Sequence, residues 1–235
     1  MKLPPGQRRV SGFPRFGVPG RPPAVPSEPA IEIGGAVVEP ITLPVARLAD
    51  LPRRELTADF HCVSGWTATE LHWEGVAFAD FYREIVEPVV PVGVTVTHLE
   101  LAGLDGYRSV VTIEDALAPD VLLAERLDGR PLGSDHGAPV RLLSPAQYGY
   151  VSTKHLCFIG LHTSEPRVRY HPKWRANLGL QLVKPHPRAR VMQEERHRYL
   201  PARVVRPVYH RLIRHFRSRN ADKGSPSGQL PTSNA

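Results

Sequence analysis

The chain has 235 residues, 41% of them hydrophobic, enough for one large packed domain or two small ones. Its 25 prolines and 19 glycines favour strands and loops over long helices, and its two cysteines, Cys62 and Cys157, exclude a disulfide framework and any Cys-x-x-Cys site. The net charge of +7 belongs to the ends: residues 1–30 hold five basic residues against one acidic, residues 31–185 hold 14 against 19, and residues 186–235 hold 11 against three, so the acidic middle argues against a nucleic-acid partner.

The first 30 residues carry eight prolines and are expected to run extended over the surface or to be partly disordered. Arg8-Arg9 is a twin arginine, but Val10 to Gly20 is rich in Gly and Pro rather than apolar, so no export segment is read. No apolar run approaches the roughly 18 residues of a membrane span. A soluble, cytoplasmic protein is expected. Ile31-Glu32-Ile33 and Ala36-Val37-Val38 read as short strands around a Gly34-Gly35 turn, and Leu43 to Leu51 as a short helix. Leu56 to Val63 alternates as a strand with Leu56, Ala58, Phe60 and Cys62 on one side. Phe78 to Val86 has a helical stripe of Phe78, Tyr82, Ile85 and Val86. Val92 to Leu101 and Tyr107 to Ile113 read as strands, with Thr112 and Asp115 as a capping signal for a short helix. Val121 to Leu127 is apolar before an Asp128-Gly129 turn, and Val140 to Leu143 and Leu156 to Leu161 are short apolar strands. The sum is an α+β domain of mixed β-sheets and short helices over 31–185, with a Pro-rich extension over 1–30 and a basic one over 186–235 that ends in a polar tail.

Two clusters carry the chemistry. In Phe60-His61-Cys62-Val63-Ser64-Gly65-Trp66 a cysteine ends an apolar strand just before a turn. Such a residue is either a small buried hydrophobe or a thiolate facing a cleft, where its soft sulfur suits a redox-active metal. The second cluster is His136-Gly137-Ala138-Pro139-Val140-Arg141-Leu142 followed by Tyr148-Gly149-Tyr150-Val151-Ser152-Thr153-Lys154. Gly137 and Gly149 permit close backbone approach to a ligand, Arg141 and Lys154 are cations suited to phosphate, and Ser152 and Thr153 add donors. Two ordinary turns with solvated charges would read the same way.

Taken together these motifs resemble the molybdopterin-binding domain of the sulfite oxidase superfamily. The residues that carry the resemblance are Asp59-Phe60-His61-Cys62-Val63, Gly65-Trp66, Trp73-Glu74-Gly75-Val76, Asp105-Gly106-Tyr107, Leu127-Asp128-Gly129 with Pro131-Leu132, His136 to Leu142 and Tyr148-Gly149-Tyr150, together with the opening Leu3-Pro4-Pro5-Gly6-Gln7. It spans roughly residues 1–185 and looks closest to the small bacterial sulfite-oxidase-like oxidoreductases, relatives of the methionine sulfoxide reductase catalytic subunit. The resemblance implies a sulfite-oxidase-type fold and an enzyme with molybdenum-bearing molybdopterin (Mo-molybdopterin) as cofactor. It makes Cys62 the metal ligand, His136 and Arg141 contacts of the pterin and its phosphate, Ser152, Thr153 and Lys154 a cofactor-binding run, and His61 a residue lining the pterin site. The arginines of a sulfite pocket have no match, so the substrate stays open among small oxo-compounds. With no haem or flavin motif, a separate electron-transfer protein is an expected partner.

Other features read more plainly. Cys157 is expected to be a buried structural thiol, Trp66 and Trp73 packing residues, and Tyr148 and Tyr150 either packing or lining a substrate funnel. The eleven histidines show no zinc spacing, and no GxGxxG or Walker segment is present. Residues 207–217 have the stripe of a basic amphipathic helix. The alternative function is a non-catalytic module that binds nucleic acid or another anion through the basic ends.

Overall fold

A computed structural model describes residues 3–4, 7–14, 22–63, 65–167, 186–191, 199–200, 204 and 207. Two mixed sheets and a few short helices make up the fold, in agreement with the expected class. In sheet A the longest strand, β5 (Trp66–Ala77), pairs antiparallel with β4 (Arg53–Cys62) and with β8 (Leu122–Leu127). β8 pairs in turn with β9 (Arg130–Pro131) and β10 (Arg141–Leu143), and the two-residue β1 (Arg8–Arg9) lies parallel to the start of β5. Sheet B has the order β3 (Ile41–Pro44), β2 (Ala30–Gly35), β11 (Leu156–His162), β6 (His98–Gly103) and β7 (Arg108–Thr112).

Alternation along the strands sorts the apolar residues into two cores. One lies between the sheets and includes Ile31, Ile33, Leu99, Leu101, Ile159 and Leu161 from sheet B with Leu123 and Leu142 from sheet A, sealed by Phe78 and Phe81 of the helical turn α1 (Phe78–Phe81). The other covers the opposite face of sheet A and holds Phe60, Cys62, Trp66, Trp73, Leu122, Ala124 and Leu143. Where β5, β8 and β10 meet, sheet A is therefore buried on both faces, and Trp66 and Trp73 are packed as expected, at 1% and 0% exposure.

Several sequence expectations shift. The chain does not turn at Gly34-Gly35: pairing with β11 carries β2 straight through both glycines, and Ala36–Val38 is not a strand. The helix expected over Leu43 to Leu51 starts as β3, because Leu43 and Pro44 pair with Ile31 and Ala30, and becomes a 3₁₀ turn only at Val45–Asp50. Residues 92–97 form a loop with Val92 fully exposed, and the strand begins at His98, where partners exist on both sides. β5 had no expectation attached to it, since its polar residues Thr67, Thr69, Glu70, His72 and Glu74 hide the alternation. The helix at Phe78 is present but widens at Tyr82–Val86 into a π-type turn. The Thr112 cap of α2 (Ile113–Ala116) forms as expected, with its hydroxyl accepting from the Asp115 amide at 3.3 Å and donating to the Asp115 carboxylate at 2.9 Å.

The N-terminal extension is more engaged than a surface strap. Gln7 is buried, and Val10 and Phe13 pack on the second core. Residues 186–191 of the basic extension also join the body. Gln147 Nε2 donates to the carbonyls of Pro187 and Arg188, and the Tyr148 hydroxyl donates to that of Val191 at 2.5 Å. Arg188 pairs with Glu114 at 2.8 Å and Arg190 with Asp115 at 2.7 Å. Tyr148, with no exposure, and Tyr150, whose hydroxyl meets the His186 carbonyl at 3.3 Å, act as anchors for this segment. Apart from Pro207, the helix expected over 207–217 lies outside the described residues, as does the polar tail.

The two-core arrangement predicts where truncation matters. Leu101→Ala, on β6 between β11 and β7 and fully buried, should lower unfolding free energy by about 2–5 kcal/mol. Val92→Ala, in the exposed loop, should stay within about 0.5 kcal/mol of the parent. Urea unfolding of the two variants checks both; similar losses would contradict the placement of β6.

Candidate active site

Cys62 is the last residue of β4, and the chain turns there through Gly65, whose amide donates to the Cys62 carbonyl at 2.9 Å. Opposite it in register stands Trp66, with Thr67 facing His61 and Ala68 facing Phe60. Cys62 and Phe60 therefore share the second-core face, whereas the side chain of His61, one residue away, lies on the other face of the strand. His61 was expected to line the same site as Cys62. Instead its Nδ1 meets the Thr67 hydroxyl at 2.9 Å. Thr67 donates to Gln7 Oε1 at 3.1 Å, and Gln7 Nε2 donates to the Cys62 carbonyl at 3.2 Å. Because the single hydroxyl proton of Thr67 goes to Gln7, the network assigns the His61 proton to Nδ1 and leaves Nε2 as an acceptor. Burial lowers the His61 pKa, partly opposed by the charge of Asp59.

Arg141 opens β10 and shares its face with Leu143, so it points into the second core. Its guanidinium is fully buried and donates to three backbone carbonyls: Leu142 at 3.2 Å from Nε, His136 at 3.0 Å and Ser152 at 2.8 Å from the terminal nitrogens. Aromatic faces surround it, with ring centres of Phe60 at 5.2 Å, Trp73 at 5.5 Å and Phe13 at 6.0 Å from its central carbon. Among the described residues no carboxylate pairs with it. Desolvation draws its pKa down to about 9, so it remains a cation at neutral pH.

The fold thus brings His136, Arg141, Ser152, Thr153 and Lys154 together, but uses their atoms in ways the spacing did not foretell. His136 and Ser152 give carbonyls to Arg141. The Ser152 hydroxyl accepts from the Ser144 amide at 3.1 Å, and the Thr153 hydroxyl is bonded to Ser109 at 2.7 Å. Lys154 donates to the Asp135 carbonyl at 2.6 Å, closing the 135–137 loop. The close approaches at Gly149 and Gly137 are to the protein itself: a Cβ at Gly149 would lie 2.1 Å from the Phe60 ring, and one at Gly137 would crowd Lys154 and Arg141. Cys157 is half-buried rather than fully buried. Its thiol donates to the Ala102 carbonyl at 3.5 Å, and burial pushes its pKa up.

Sequence reasoning assigned no role here to Phe13, Thr67, Gln7 or His155. Gln7 stood in a family motif, so a signal for it existed. Phe13 sits in a Pro-rich stretch with no periodicity. Its ring stacks on that of His136 at 4.6 Å and 9° between planes, and meets Phe60 at 4.8 Å and Trp73 at 5.7 Å. His155 is buried at 3% exposure, and its Nδ1 donates to the Ala138 carbonyl at 2.6 Å, which fixes the loop behind His136.

These histidines make stability depend on pH. Burial is the leading cause that lowers the His155 pKa, against the opposing Ala138 hydrogen bond. A lowered folded-state pKa means the unfolded chain binds the extra proton first, starting near the ordinary value of about 6.5, so stability falls as pH drops through and below that value. The melting temperature should be lower at pH 5 than at pH 7. His155→Asn keeps a donor for Ala138 without a titrating ring and should lose part of that difference; an unchanged pH slope would remove His155 from the account.

With this geometry in view, the comparisons with known proteins are specific. The family model "Oxidoreductase molybdopterin binding domain" matches residues 19–170. The chain is 32% identical over 126 residues to the uncharacterized oxidoreductase YuiH of Bacillus subtilis, covering 54% of this chain and 61% of that one. It is 28% identical over 152 residues to the protein-methionine-sulfoxide reductase catalytic subunit MsrP of Xanthomonas axonopodis, covering 60% of this chain and 47% of that one. The chain thus spans roughly half to three-fifths of the length of the curated relatives it matches. In fold it is similar to the crystal structure of the sulfane dehydrogenase SoxCD from Paracoccus pantotrophus, with a TM-score of 0.50 and 22% identity over 58% of this chain and 38% of the other. The chain belongs to the oxidoreductase molybdopterin-binding-domain family, as the resemblance of its motifs implied.

Proposed function

We propose that this chain holds Mo-molybdopterin on the second-core face of sheet A, with the Cys62 thiolate as metal ligand, and exchanges an oxygen atom or electrons with a small substrate there. The observation that carries the reading is Arg141, a fully buried cation met by three carbonyls and three aromatic rings but by no carboxylate among the described residues. An uncompensated buried charge costs several kcal/mol. A phosphate-bearing cofactor is the complement it lacks. Three of its five N–H bonds are used on carbonyls, which leaves one on each terminal nitrogen for an anion. The residues fit the group in charge, while the burial of the guanidinium means that part of its cover has to give way.

When bound, the group supplies a metal that cycles between oxidised and reduced states. The chain supplies position and environment. Cys62 presents a soft thiolate at a strand end beside Trp66, and the carbonyl bond from Gln7 together with the Gly65 amide fixes its backbone. Arg141 binds the phosphate and Lys154 adds a second positive charge through the 135–137 loop. Ser152 and Thr153 act through the shape of their segment, since their hydroxyls are committed internally. His61, with Nε2 as acceptor, serves the opposite face of the hairpin.

The names of the MsrP relatives put sulfoxides first among substrates to test, ahead of sulfite-like anions. Those relatives are called catalytic subunits, which supports a separate electron-transfer protein as partner here. Arg188 and Arg190 are occupied by Glu114 and Asp115, which leaves less of the basic extension for nucleic acid. A cytoplasmic location agrees with two thiols outside any disulfide. No helix among the described residues is long and apolar enough to cross a membrane.

Elemental and pterin analysis of protein made in a host that synthesises the cofactor tests the reading; well-folded protein without molybdenum or pterin would overturn it. Cys62→Ser should abolish turnover with any sulfoxide or sulfite while keeping pterin, because a hydroxyl is a harder and far less acidic donor. Arg141→Ala should lose pterin, since each charge-assisted hydrogen bond is worth on the order of 1.5–3 kcal/mol. Lys154→Ala should act in the same direction more weakly.

A further inference from the structure

Arg141 shares its core with a second buried donor. Trp73 stands within β5, opposite Leu56 of β4 and Leu127 of β8, and has no exposed surface. Its indole Nε1 has no hydrogen-bond partner among the described residues. A buried indole N–H usually finds an acceptor, because burial has stripped it of water. The Trp73 ring centre lies 5.5 Å from the central carbon of Arg141, whose terminal nitrogens each keep one unspent N–H. Around these donors the walls are aromatic: Phe13 meets the indole edge to face at 5.7 Å, and Phe60 lies 5.2 Å from the guanidinium carbon. The carbonyls of residues 136, 142 and 152 already accept from Arg141. One dry space therefore holds an excess of N–H groups, and the ligand that balances it is an acceptor with several oxygen atoms.

We propose that the Trp73 indole N–H donates directly to the phosphate of molybdopterin, as the third donor of a clamp whose other two are the unspent N–H groups of Arg141. This rests on the cofactor reading given above. The phosphate is favoured over the pterin ring because it offers three terminal oxygens, and a hydrogen bond to an ionised acceptor is about twice as strong as one between neutral groups. Indole is suited to the place. It is a donor only, it carries no charge that would add to that of Arg141, and strand pairing on both sides of β5 fixes the backbone that carries it. One strand then serves both ends of the site, since Trp66 of β5 stands opposite Cys62 and Trp73 stands beside Arg141.

The test uses the full chain made in a host that cannot synthesise the cofactor, with indole nitrogens labelled for NMR and metal-free molybdopterin released from another molybdoenzyme as the probe. On loading, one of the three tryptophan indole N–H resonances should move downfield and exchange more slowly, and it should be the one missing from Trp73→Phe. Dephosphorylated molybdopterin should leave that resonance in place. Trp73→Phe keeps an aromatic ring but loses the donor, and should bind the pterin about ten-fold more weakly than the parent, as loss of one hydrogen bond to a charged group implies. The spectrum of the parent needs no variant: if it binds the probe and none of its indole resonances moves, the donor assignment is overturned and the N–H faces only the Phe13 ring. A shift confined to a resonance that survives in Trp73→Phe, or an equal shift with the dephosphorylated pterin, overturns it as well. In each of these cases binding by the parent leaves the cofactor reading standing, whereas a parent chain that binds no molybdopterin overturns both.

Discussion

A guanidinium with no carboxylate partner among the described residues is the point on which this structure turns. Arg141 is fully buried, and its charge is met by carbonyls of residues 136, 142 and 152 and by aromatic faces. Those carbonyls belong to three different stretches, so satisfying one side chain fixes the relative position of the 136–139 loop, strand β10 and the 144–153 loop. Each stretch then carries its own fastening: His155 to Ala138, Ser152 to Ser144, Thr153 to Ser109, Lys154 to Asp135. The segment 186–191 extends the same logic outward, bonding to Gln147 and Tyr148 and pairing two arginines with Glu114 and Asp115. The apparatus holds a positive charge in a dry place, which is of use when a negative ligand is to be bound there.

The β4–β5 hairpin separates two environments by the pleat alone. Cys62 and Phe60 face the aromatic core around Arg141, and His61 faces Thr67 and the arm. Adjacent residues in the sequence thereby serve different surfaces. Gln7 joins the two sides, since one amide group bonds both to the Thr67 hydroxyl that orders His61 and to the backbone of Cys62. The Pro-rich beginning of the chain thus contributes to the site through a few polar and aromatic contacts and a strand of only two residues.

Part of this was legible in the sequence. The strand ending at Cys62 showed two-residue alternation and the one ending at Leu143 a short apolar run, and the Thr112 cap and the Asp128-Gly129 turn are local chemistry readable without a partner. β5 escaped notice because both of its edges are paired and its two faces differ, so polar residues such as Thr67 and His72 interrupt the pattern while hydrogen bonds to β4 and β8 hold the strand. Leu43 and Pro44 became strand and not helix for the same reason: β2 offers an edge that local propensity does not register.

At the site the division is sharper. The sequence by itself determined which residue types stand near one another in the clusters at 60–66 and 136–154, because these are covalent facts of the chain, and it was the resemblance of those motifs to a known family that implied the cofactor. The tertiary structure alone decided what each atom does. It put His61 across the strand from Cys62 and committed the hydroxyls of Ser152 and Thr153 to the protein's own backbone and side chains. It also brought Phe13 from a stretch without periodicity onto His136 and Arg141. Some of these contacts are short in sequence, 8 positions from Ser144 to Ser152, and others, from Phe13 to His136 and Arg141, join distant parts of the chain; in both kinds the direction of a side chain is set by strand register and by competition for hydrogen bonds, which residue types alone do not fix.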